Sequence, residues 1–168
     1  MDGQLLEEIY QQYKPLIYNY LYRSTLNHHT AEELTQDTFL KVYKSIHQFR
    51  KESSLKTWLF TIARNTFLDS IKMKQNQEEA FDPTEVLMID QSDAFSSLDE
   101  KLLIRKILLK LSEKERTLII LRDYYYFEYR EILKIIGSTE GQVKIGLHRG
   151  RKKFKEMYQR ESEVNQSI

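Results

Sequence analysis

The stretch STEGQVKIGLHRGRKKF, residues 138–154, decides the fold of this chain. Its apolar and small positions recur at spacings of four and three residues, which predicts one buried face of a helix. These positions are Val143, Leu147, Gly150, Phe154 and, just beyond the stretch, Met157. The rest of that helix is basic. Upstream, EYREILKIIG (128–137) predicts a second amphipathic helix that ends at Gly137. A helix, a glycine-containing turn and a basic helix are typical of a helix-turn-helix, which places its second helix in the DNA major groove.

The side of the basic helix opposite its apolar stripe predicts the residues that contact DNA. At 100° per residue from Val143, four positions point within about 40° of directly outward. They are Gly141, Ile145, His148 and Lys152, and Lys144 and Arg149 flank them. Thr139 and Gln142 have the spacing of an N-terminal cap for this helix. We assign Arg151 and Lys153 to contact with phosphate or solvent.

The net charge of +1 hides a strong segregation of charge along the chain. Residues 41–74 hold eight bases and two acids, whereas residues 75–100 hold eight acids and no lysine or arginine. The order basic, acidic, basic predicts two modules that contact nucleic acid, although solvated helix faces would give either basic run the same composition. We interpret residues 75–97 as a flexible acidic linker with little regular structure. A short acidic helix near residues 84–90 is the alternative.

Helical periodicity accounts for most of the remaining sequence. We expect helices over about residues 4–24, 30–47, 55–73, 98–111, 112–122 and 128–136, followed by the basic helix. Pro15 could interrupt the first of them, because it removes one backbone donor. Capping-box pairs predict two helix starts, one at Thr30 with Glu33 and one at Ser112 with Glu115.

This pattern predicts an all-α protein with two small helical domains, residues 1–74 and 98–160, and a tail, residues 161–168. The apolar positions of the helix from residue 30 are its expected core contacts: Ala31, Leu34, Phe39, Val42, Tyr43 and Ile46.

Several function classes are excluded by what the sequence lacks. There is no cysteine, which excludes disulfides and thiolate metal sites. The N-terminus does not read as a signal peptide, and no apolar run approaches the roughly 18–20 residues that span a bilayer. We find no nucleophile–base pair, metal cluster or phosphate loop. We therefore expect a cytoplasmic protein that is not an enzyme and has no catalytic residues, metal, cofactor or membrane insertion.

Both halves of the chain resemble the extracytoplasmic-function (ECF, group 4) sigma factors of bacterial RNA polymerase, in the sigma-70 family. The N-terminal match is TAEELTQDTFLKVYKSIHQFRKESSLKTWLFTIARNTFLDSIK, residues 30–72. The C-terminal match is LSEKERTLIILRDYYYFEYREILKIIG, residues 111–137, with QVKIGLHRGRKK, residues 142–153. Two motif blocks in the family's order and at its spacing make this resemblance specific.

The resemblance implies partners and site residues. The first domain would be sigma domain 2, which binds the clamp helices of the beta-prime subunit of core RNA polymerase and opens the promoter −10 element. The second would be sigma domain 4, which reads the −35 element and packs on the beta flap. An anti-sigma factor would be a further partner, but no residue identifies it.

The predicted site residues form three sets, and the resemblance matches Lys144, Ile145, His148 and Arg149 to the family's −35 readers. The −10 set is Phe49, Arg50, Lys51, Ser53, Ser54, Arg64 and Asn65. The −35 set is Thr139, Gln142, Lys144, Ile145, His148, Arg149 and Lys152. The polymerase set is Asp37, Lys41 and Lys44. A polar loop with nearby aromatics suits an unstacked base, but Phe49 could equally pack in the core, and we expect Trp58 to do so.

The chain departs from the family pattern at three places. Where the family commonly has Ser-Arg, this chain has Ile145-Gly146. This difference removes a hydroxyl and a cation from the expected DNA face. Ile145 could instead contact a thymine methyl. At two positions where the family usually has alanine, this chain has Leu133 and Gly150. We expect these two residues to face each other, so that the larger compensates for the smaller. Because a glycine inside a helix costs roughly 0.5–1 kcal/mol relative to alanine, the helix could be pliable when free. Gly146→Arg should then strengthen DNA binding.

Two other functions compete with a sigma factor. One is a free-standing helix-turn-helix regulator whose N-terminal bundle senses or dimerises, against which TWLFTIARN (57–65) after a basic loop argues. The other is a sigma mimic that occupies polymerase without reading DNA.

Overall fold

The structure, a computed structural model, describes the backbone of residues 2–77 and 97–166 and the side chains of residues 3–74 and 97–164. All regular structure in these ranges is helical, so the all-α prediction is confirmed. The acidic linker lies mostly outside the described residues. The helices are α1 (Asp2–Thr25), α2 (His28–Ser45), α3 (Leu55–Gln77), α4 (Leu98–Lys110), α5 (Glu113–Ile119), α6 (Tyr129–Ile136) and α7 (Glu140–Gln166).

The described residues divide into two compact units. Helices α1, α2 and α3 form the first unit. Helices α4 to α7 form the second, apart from residues 134–137, which group with the first. A 3₁₀ turn (Ile46–Gln48) follows α2, and a π-helical turn (Ile120–Tyr124) follows α5.

The first unit is held together by large side chains of α1 and α3. Ile17 and Leu21 of α1 and Leu59 of α3 are fully buried. The rings of Tyr20 and Phe60 pack with their centroids 5.2 Å apart. Each buried side chain of this size stabilises the fold by about 1.5–3 kcal/mol relative to exposure, so these residues contribute substantially to the stability of the first unit.

The start of α2 differs from the prediction. The Oδ1 atom of Asn27 accepts a hydrogen bond from the backbone N–H of Thr30 at 2.7 Å, so Asn27 is the N-cap and Thr30 lies inside the helix. Leu26 adopts a φ of +53°, which turns the chain sharply after α1. The Thr30–Glu33 capping box was therefore wrong, because Asn27, three residues earlier, caps the helix and already accepts from the Thr30 N–H.

Two helices in the first unit run further than expected. Pro15 lies inside α1, which continues through it to Thr25. Helix α3 continues to Gln77, past the expected start of the linker at residue 75. The lysines and glutamines at its end are good helix formers, and neither glycine nor proline intervenes to stop the helix.

The second unit is built around the apolar stripe of α7. Val143 and Leu147 are buried there with Leu118 and Leu121, as the periodicity predicted. The Ser112–Glu115 capping box is present at the start of α5. Gly137, with a φ of +62°, makes the turn between α6 and α7, a conformation that glycine adopts without steric cost.

Helix α5 ends earlier than expected, at Ile119, and the π turn covers the residues that we had assigned to its last turn. The guanidinium of Arg122 donates to the backbone oxygen of Phe127 at 2.7 Å. The backbone N–H of Phe127 donates to the backbone oxygen of Leu121 at 3.0 Å. These bonds fold the chain back after the π turn, so a regular helix does not continue.

The expected tail was also wrong, because α7 continues to Gln166. The carboxylate of Glu161 lies 2.9 Å from Lys106 Nζ and 3.0 Å from Lys110 Nζ, both on α4. The hydroxyl of Tyr158 donates to Glu100 at 3.1 Å. The last turns of α7 are therefore held against α4, which single-helix periodicity does not reveal.

Candidate nucleic-acid interface and polymerase surface

The outward face of α7, defined here as Ile145, His148, Arg149 and Lys152, is exposed as the periodicity predicted. Ile145 keeps 54% of its accessible area although it is apolar. Within the described part of the chain, these four side chains make no hydrogen bond or ion pair. This face can therefore accept an external partner without breaking internal contacts.

Lys144 lies at the edge of that face and is already engaged. Its ammonium forms an ion pair with Glu140, one turn earlier. It also lies 5.7 Å from the ring centroid of Tyr129, over which Arg122 sits at 4.9 Å. The hydrogen bond to Glu140 raises the pKa of Lys144. Lys144 therefore remains a cation, but contact with DNA would have to compete with Glu140.

Thr139 and Gln142 cap α7, as predicted. The Gln142 backbone N–H donates to Thr139 Oγ1, and the Thr139 N–H donates to Gln142 Oε1, both at 3.3 Å. The hydroxyl of Ser138 also donates to Gln142 Oε1 at 2.6 Å. These bonds satisfy backbone donors that would otherwise be orphaned at the helix start. DNA contact by either residue stays a prediction.

Arg151 and Lys153 are about half exposed, but each is engaged in an ion pair that their assignment to phosphate or solvent did not include. The Arg151 guanidinium makes a two-pronged pair with Asp123 of the π turn, with Nε 2.9 Å from Oδ2. Lys153 Nζ lies 2.7 Å from Glu115 Oε1. Sequence reasoning missed these pairs because both acids lie about 30 to 40 residues earlier in the chain.

The electrostatics of Glu115 are set by that second pair. Burial raises the pKa of its carboxyl, but hydrogen bonds from Lys153 and Ser112 outweigh burial and leave the pKa below its ordinary value. Glu115 is only 8% exposed. It therefore acts as an ionised internal anchor for α7 as well as the cap of α5.

Gly146 and Gly150 face α5, which corrects two predictions. A Cβ at Gly146 would lie 2.5 Å from Leu118 Cδ1. Position 146 therefore faces the packed side of α7, and an arginine there would not extend the DNA face. A Cβ at Gly150 would lie 3.2 Å from Ile119 Cδ1 and 3.3 Å from Glu115 Cβ. These neighbours of Gly150, rather than Leu133, are the ones that its small size accommodates.

In the first unit, the loop of residues 49–54 is fixed at both ends. Phe49 packs on Trp58 with ring centroids 5.1 Å apart, so both aromatics take part in packing while remaining half-buried. Ser54 Oγ accepts the Thr57 N–H at 3.1 Å and so caps α3. Lys51 between them has a φ of +58°, a strained backbone for a non-glycine residue.

Asn65 of α3 is exposed, and it makes no hydrogen bond within the described part of the chain. It lies seven residues after Trp58, which is two helical turns on the same face. Arg64, by contrast, is half-buried, while Arg50, Lys51 and the loop tip are exposed. The structure thus aligns Asn65 with the aromatic end of the loop, whereas Ser54 already has a capping role.

The expected polymerase surface lies on α2. Asp37 and Lys44 are exposed, and Lys41 Nζ forms an ion pair with Asp69 Oδ2 at 3.2 Å. Sequence reasoning missed two apolar members of this face, Leu40 and Tyr43, which are 57% and 66% exposed.

Tyr43 was wrongly assigned to the core. Thr35 and Thr38 are buried instead, since each hydroxyl donates to the backbone oxygen four residues earlier, at 2.6 Å in both cases. A threonine that satisfies its hydroxyl locally can replace an apolar residue in a helix interface. Because threonine was counted as polar, the predicted buried stripe of α2 included Tyr43 and left out Thr35 and Thr38.

In the described ranges, no helix is both long enough and apolar enough to cross a membrane. Those ranges also contain no group of three or more side chains arranged to hold a metal ion.

Comparison with known proteins places both units in families. Residues 9–77 match the model for sigma-70 region 2, and residues 101–154 match the model for sigma-70 region 4. The chain is 35% identical to the RNA polymerase sigma factor YlaC of Bacillus subtilis, over 89% of this chain and 90% of that protein. It is 32% identical to the ECF RNA polymerase sigma factor SigW of the same organism, over 89% and 87%.

A solved structure shares the architecture. The sigma factor RpoE of Bartonella quintana, in complex with the anti-sigma factor NepR, superposes with a TM-score of 0.77 at 29% identity, over 91% of this chain and 96% of that chain.

Proposed function

The chain belongs to the ECF sigma factors of the sigma-70 family, and we propose that it directs core RNA polymerase to a subset of promoters and melts their −10 element. The observation that supports this proposal is the presence of two different units in one chain. The region 2 unit carries a fixed polar loop aligned with an exposed asparagine, and the region 4 unit carries a helix-turn-helix with an exposed basic face.

The outward face of α7 would read the −35 element. Arg149 has the length and the donors for a bidentate contact to guanine or for a phosphate contact. Ile145 is exposed, and a contact with a thymine methyl would shield its side chain from water.

The loop at residues 49–54 and Asn65 would hold a base extruded from the −10 element. A flipped base must be stacked and hydrogen-bonded outside the duplex. The half-buried ring of Phe49 packs on Trp58, and the amide of Asn65 lies two turns beyond Trp58 on the same side of α3. The proposed −10 contacts are Phe49, Arg50, Lys51, Ser53, Arg64 and Asn65, with Ser54 contributing through its cap of α3.

The exposed face of α2 would contact the beta-prime clamp helices, and the region 4 unit would contact the beta flap. Leu40 and Tyr43 supply apolar area among Asp37, Lys41 and Lys44. Truncating either apolar side chain to alanine should weaken core-polymerase binding. Leu5→Ala on α1 is the matched control, because Leu5 is a leucine of similar exposure, 52%, on another helix.

An anti-sigma factor is a further proposed partner. The support is the solved relative, in which a sigma factor of similar architecture is complexed with one. Because polymerase and an inhibitor would both favour exposed apolar surface, the α2 face is the first place to test for competition between them.

The decisive experiment is in vitro transcription with purified core polymerase on a fragmented genomic template. A sigma factor yields discrete start sites only when core enzyme and this chain are both present. DNA binding by the chain alone, with no start sites, would indicate a free-standing regulator. Polymerase binding without any start site would indicate a sigma mimic.

A further inference from the structure

Helix α7 packs on α5 through two glycines spaced four residues apart. A Cβ at Gly146 would meet Leu118 Cδ1 at 2.5 Å, which is closer than real Cβ contacts allow. A Cβ at Gly150 would meet Ile119 and Glu115 at 3.2–3.3 Å. By contrast, a Cβ at Gly3 of α1 would meet nothing within 4 Å. The glycines at 146 and 150 therefore mark a close helix–helix approach.

The contact at Gly146 has little room to relax. Leu118 is fully buried, so its side chain cannot swing into solvent to make space. Because protein interiors are close-packed, an added methyl group must displace either core neighbours or α7 itself. The side chain of Leu118 thus occupies the space beside the α7 backbone at position 146. It can do so only because Gly146 has no side chain.

Two ion pairs hold α7 on either side of this contact. On a helical projection, Arg151 and Lys153 lie about 80° to either side of Val143, the centre of the buried stripe. Arg151 pairs with Asp123 of the π turn, and Lys153 pairs with Glu115 of α5. Such an arrangement resists rotation of α7 about its own axis.

The rotation of α7 decides what its outward face can contact. Ile145, Arg149 and Lys152 are offset from the buried stripe by angles that the helix fixes. With side chains at a radius of about 5–6 Å, a rotation of about 20° moves a contacting atom by about 2 Å. A displacement of that size breaks a hydrogen bond to a base edge.

We propose that Gly146, with Gly150 in support, is a positioning residue for −35 reading: its missing side chain sets the rotation and depth of α7 against α5, and so the specificity of the outward face. This inference rests on the proposed sigma function. It assigns to position 146 a role in packing within the unit and no direct contact with DNA.

The test uses full-length protein in holoenzyme with core polymerase. Wild-type holoenzyme first selects a promoter from a duplex library in which the −35 segment is randomised. The readout is the ratio of affinities for the selected promoter and for the same promoter with its −35 segment scrambled. Thermal unfolding and core-polymerase affinity are measured for each variant at the assay temperature.

Gly146→Ala should lower the discrimination ratio at least fivefold while core-polymerase affinity stays within twofold. Gly3→Ala, an equal change in open space, should leave both unchanged. The size-swapped variant Gly146→Ala/Leu118→Val adds one carbon and removes one at the same contact. It should restore the ratio to within twofold of wild type.

Two outcomes would overturn the inference. A ratio unchanged in Gly146→Ala, including equal losses on selected and scrambled promoters, means that the contact has at most a structural role and does not position the helix. A double variant as defective as the single one means that steric pressure on Leu118 is not the cause. If wild-type holoenzyme enriches no −35 sequence, the proposed function fails instead, and this inference fails with it.

Discussion

Arg149 is the residue whose chemistry bears most directly on the proposed reading of the −35 element, because it is an exposed cation without an internal partner in the described part of the chain. We expect a base contact, since it lies near the outward direction and within the third turn of α7. Arg149→Ala should weaken promoter binding by about 1–3 kcal/mol and relax the preference at one −35 position.

A salt titration distinguishes a base contact by Arg149 from the alternative, a phosphate contact. Loss of a phosphate contact would weaken binding equally for all sequences and make the salt dependence shallower. Arg160→Ala, which removes an exposed arginine later in α7, is the matched control and should change neither quantity.

In the first unit, Asn65 is the residue that bears most directly on the proposed contact with the −10 element. Asn65→Ala should reduce open-complex formation by about 1–3 kcal/mol, because a pocket for an extruded base loses its hydrogen bonds. Permanganate footprinting and core-polymerase affinity are the two measurements. Equal losses in both would mark Asn65 as structural; Gln4→Ala, an exposed amide on α1, controls for loss of a surface amide.

At the scale of elements, the Glu115–Lys153 pair predicts a pH dependence for the second unit. Hydrogen bonds lower the pKa of folded Glu115 below its ordinary value of 4.5 despite burial. Its contribution to the free energy of unfolding is therefore complete above about pH 4.5 and is lost as the pH falls through the folded pKa.

The variant Glu115→Gln tests that dependence. It should lower the free energy of unfolding at pH 7 by about 1 kcal/mol, since the partner lysine is half exposed. Urea unfolding at pH 7 and pH 4 should show a smaller pH effect in the variant than in wild type. An identical pH effect in both proteins would contradict the assignment.

The Arg151–Asp123 pair makes a second prediction at this scale. Because Asp123 engages the guanidinium, Arg151→Ala should cost up to about 1 kcal/mol of stability and leave the salt dependence of promoter binding unchanged. A double-mutant cycle with Asp123→Ala measures the coupling. A salt slope shallower by about one phosphate would mean that Arg151 leaves Asp123 to contact DNA.

At the scale of the whole molecule, the acidic linker joins the region 2 and region 4 units, which we propose contact different parts of one promoter. Eight acids and no bases in residues 75–100 disfavour contact with DNA and suit a positively charged channel on the polymerase. Replacing the acids with asparagine and glutamine at constant length should impair holoenzyme assembly or initiation. Unchanged assembly and initiation would mean a simple tether.

The amino-acid sequence by itself determined the helical class, the helix-turn-helix and the exposed face of α7. Each depends on periodicity along a single helix, and the buried Val143 and Leu147 opposite exposed Ile145 and Arg149 show why that suffices. The Ser112–Glu115 cap was also predicted correctly, because both partners lie within one turn, whereas the same pattern at Thr30 and Glu33 missed the true cap, Asn27.

Only the tertiary structure decided the roles of Gly146, Arg151, Lys153 and Tyr43. A basic residue has the same local signature whether it meets phosphate or a carboxylate about 30 residues away, as Arg151 meets Asp123. A glycine in the sequence does not indicate which helix it will pack against, and only the structure shows that Gly146 faces Leu118. Periodicity shows which way a side chain points, but its meaning depends on what the fold places opposite it.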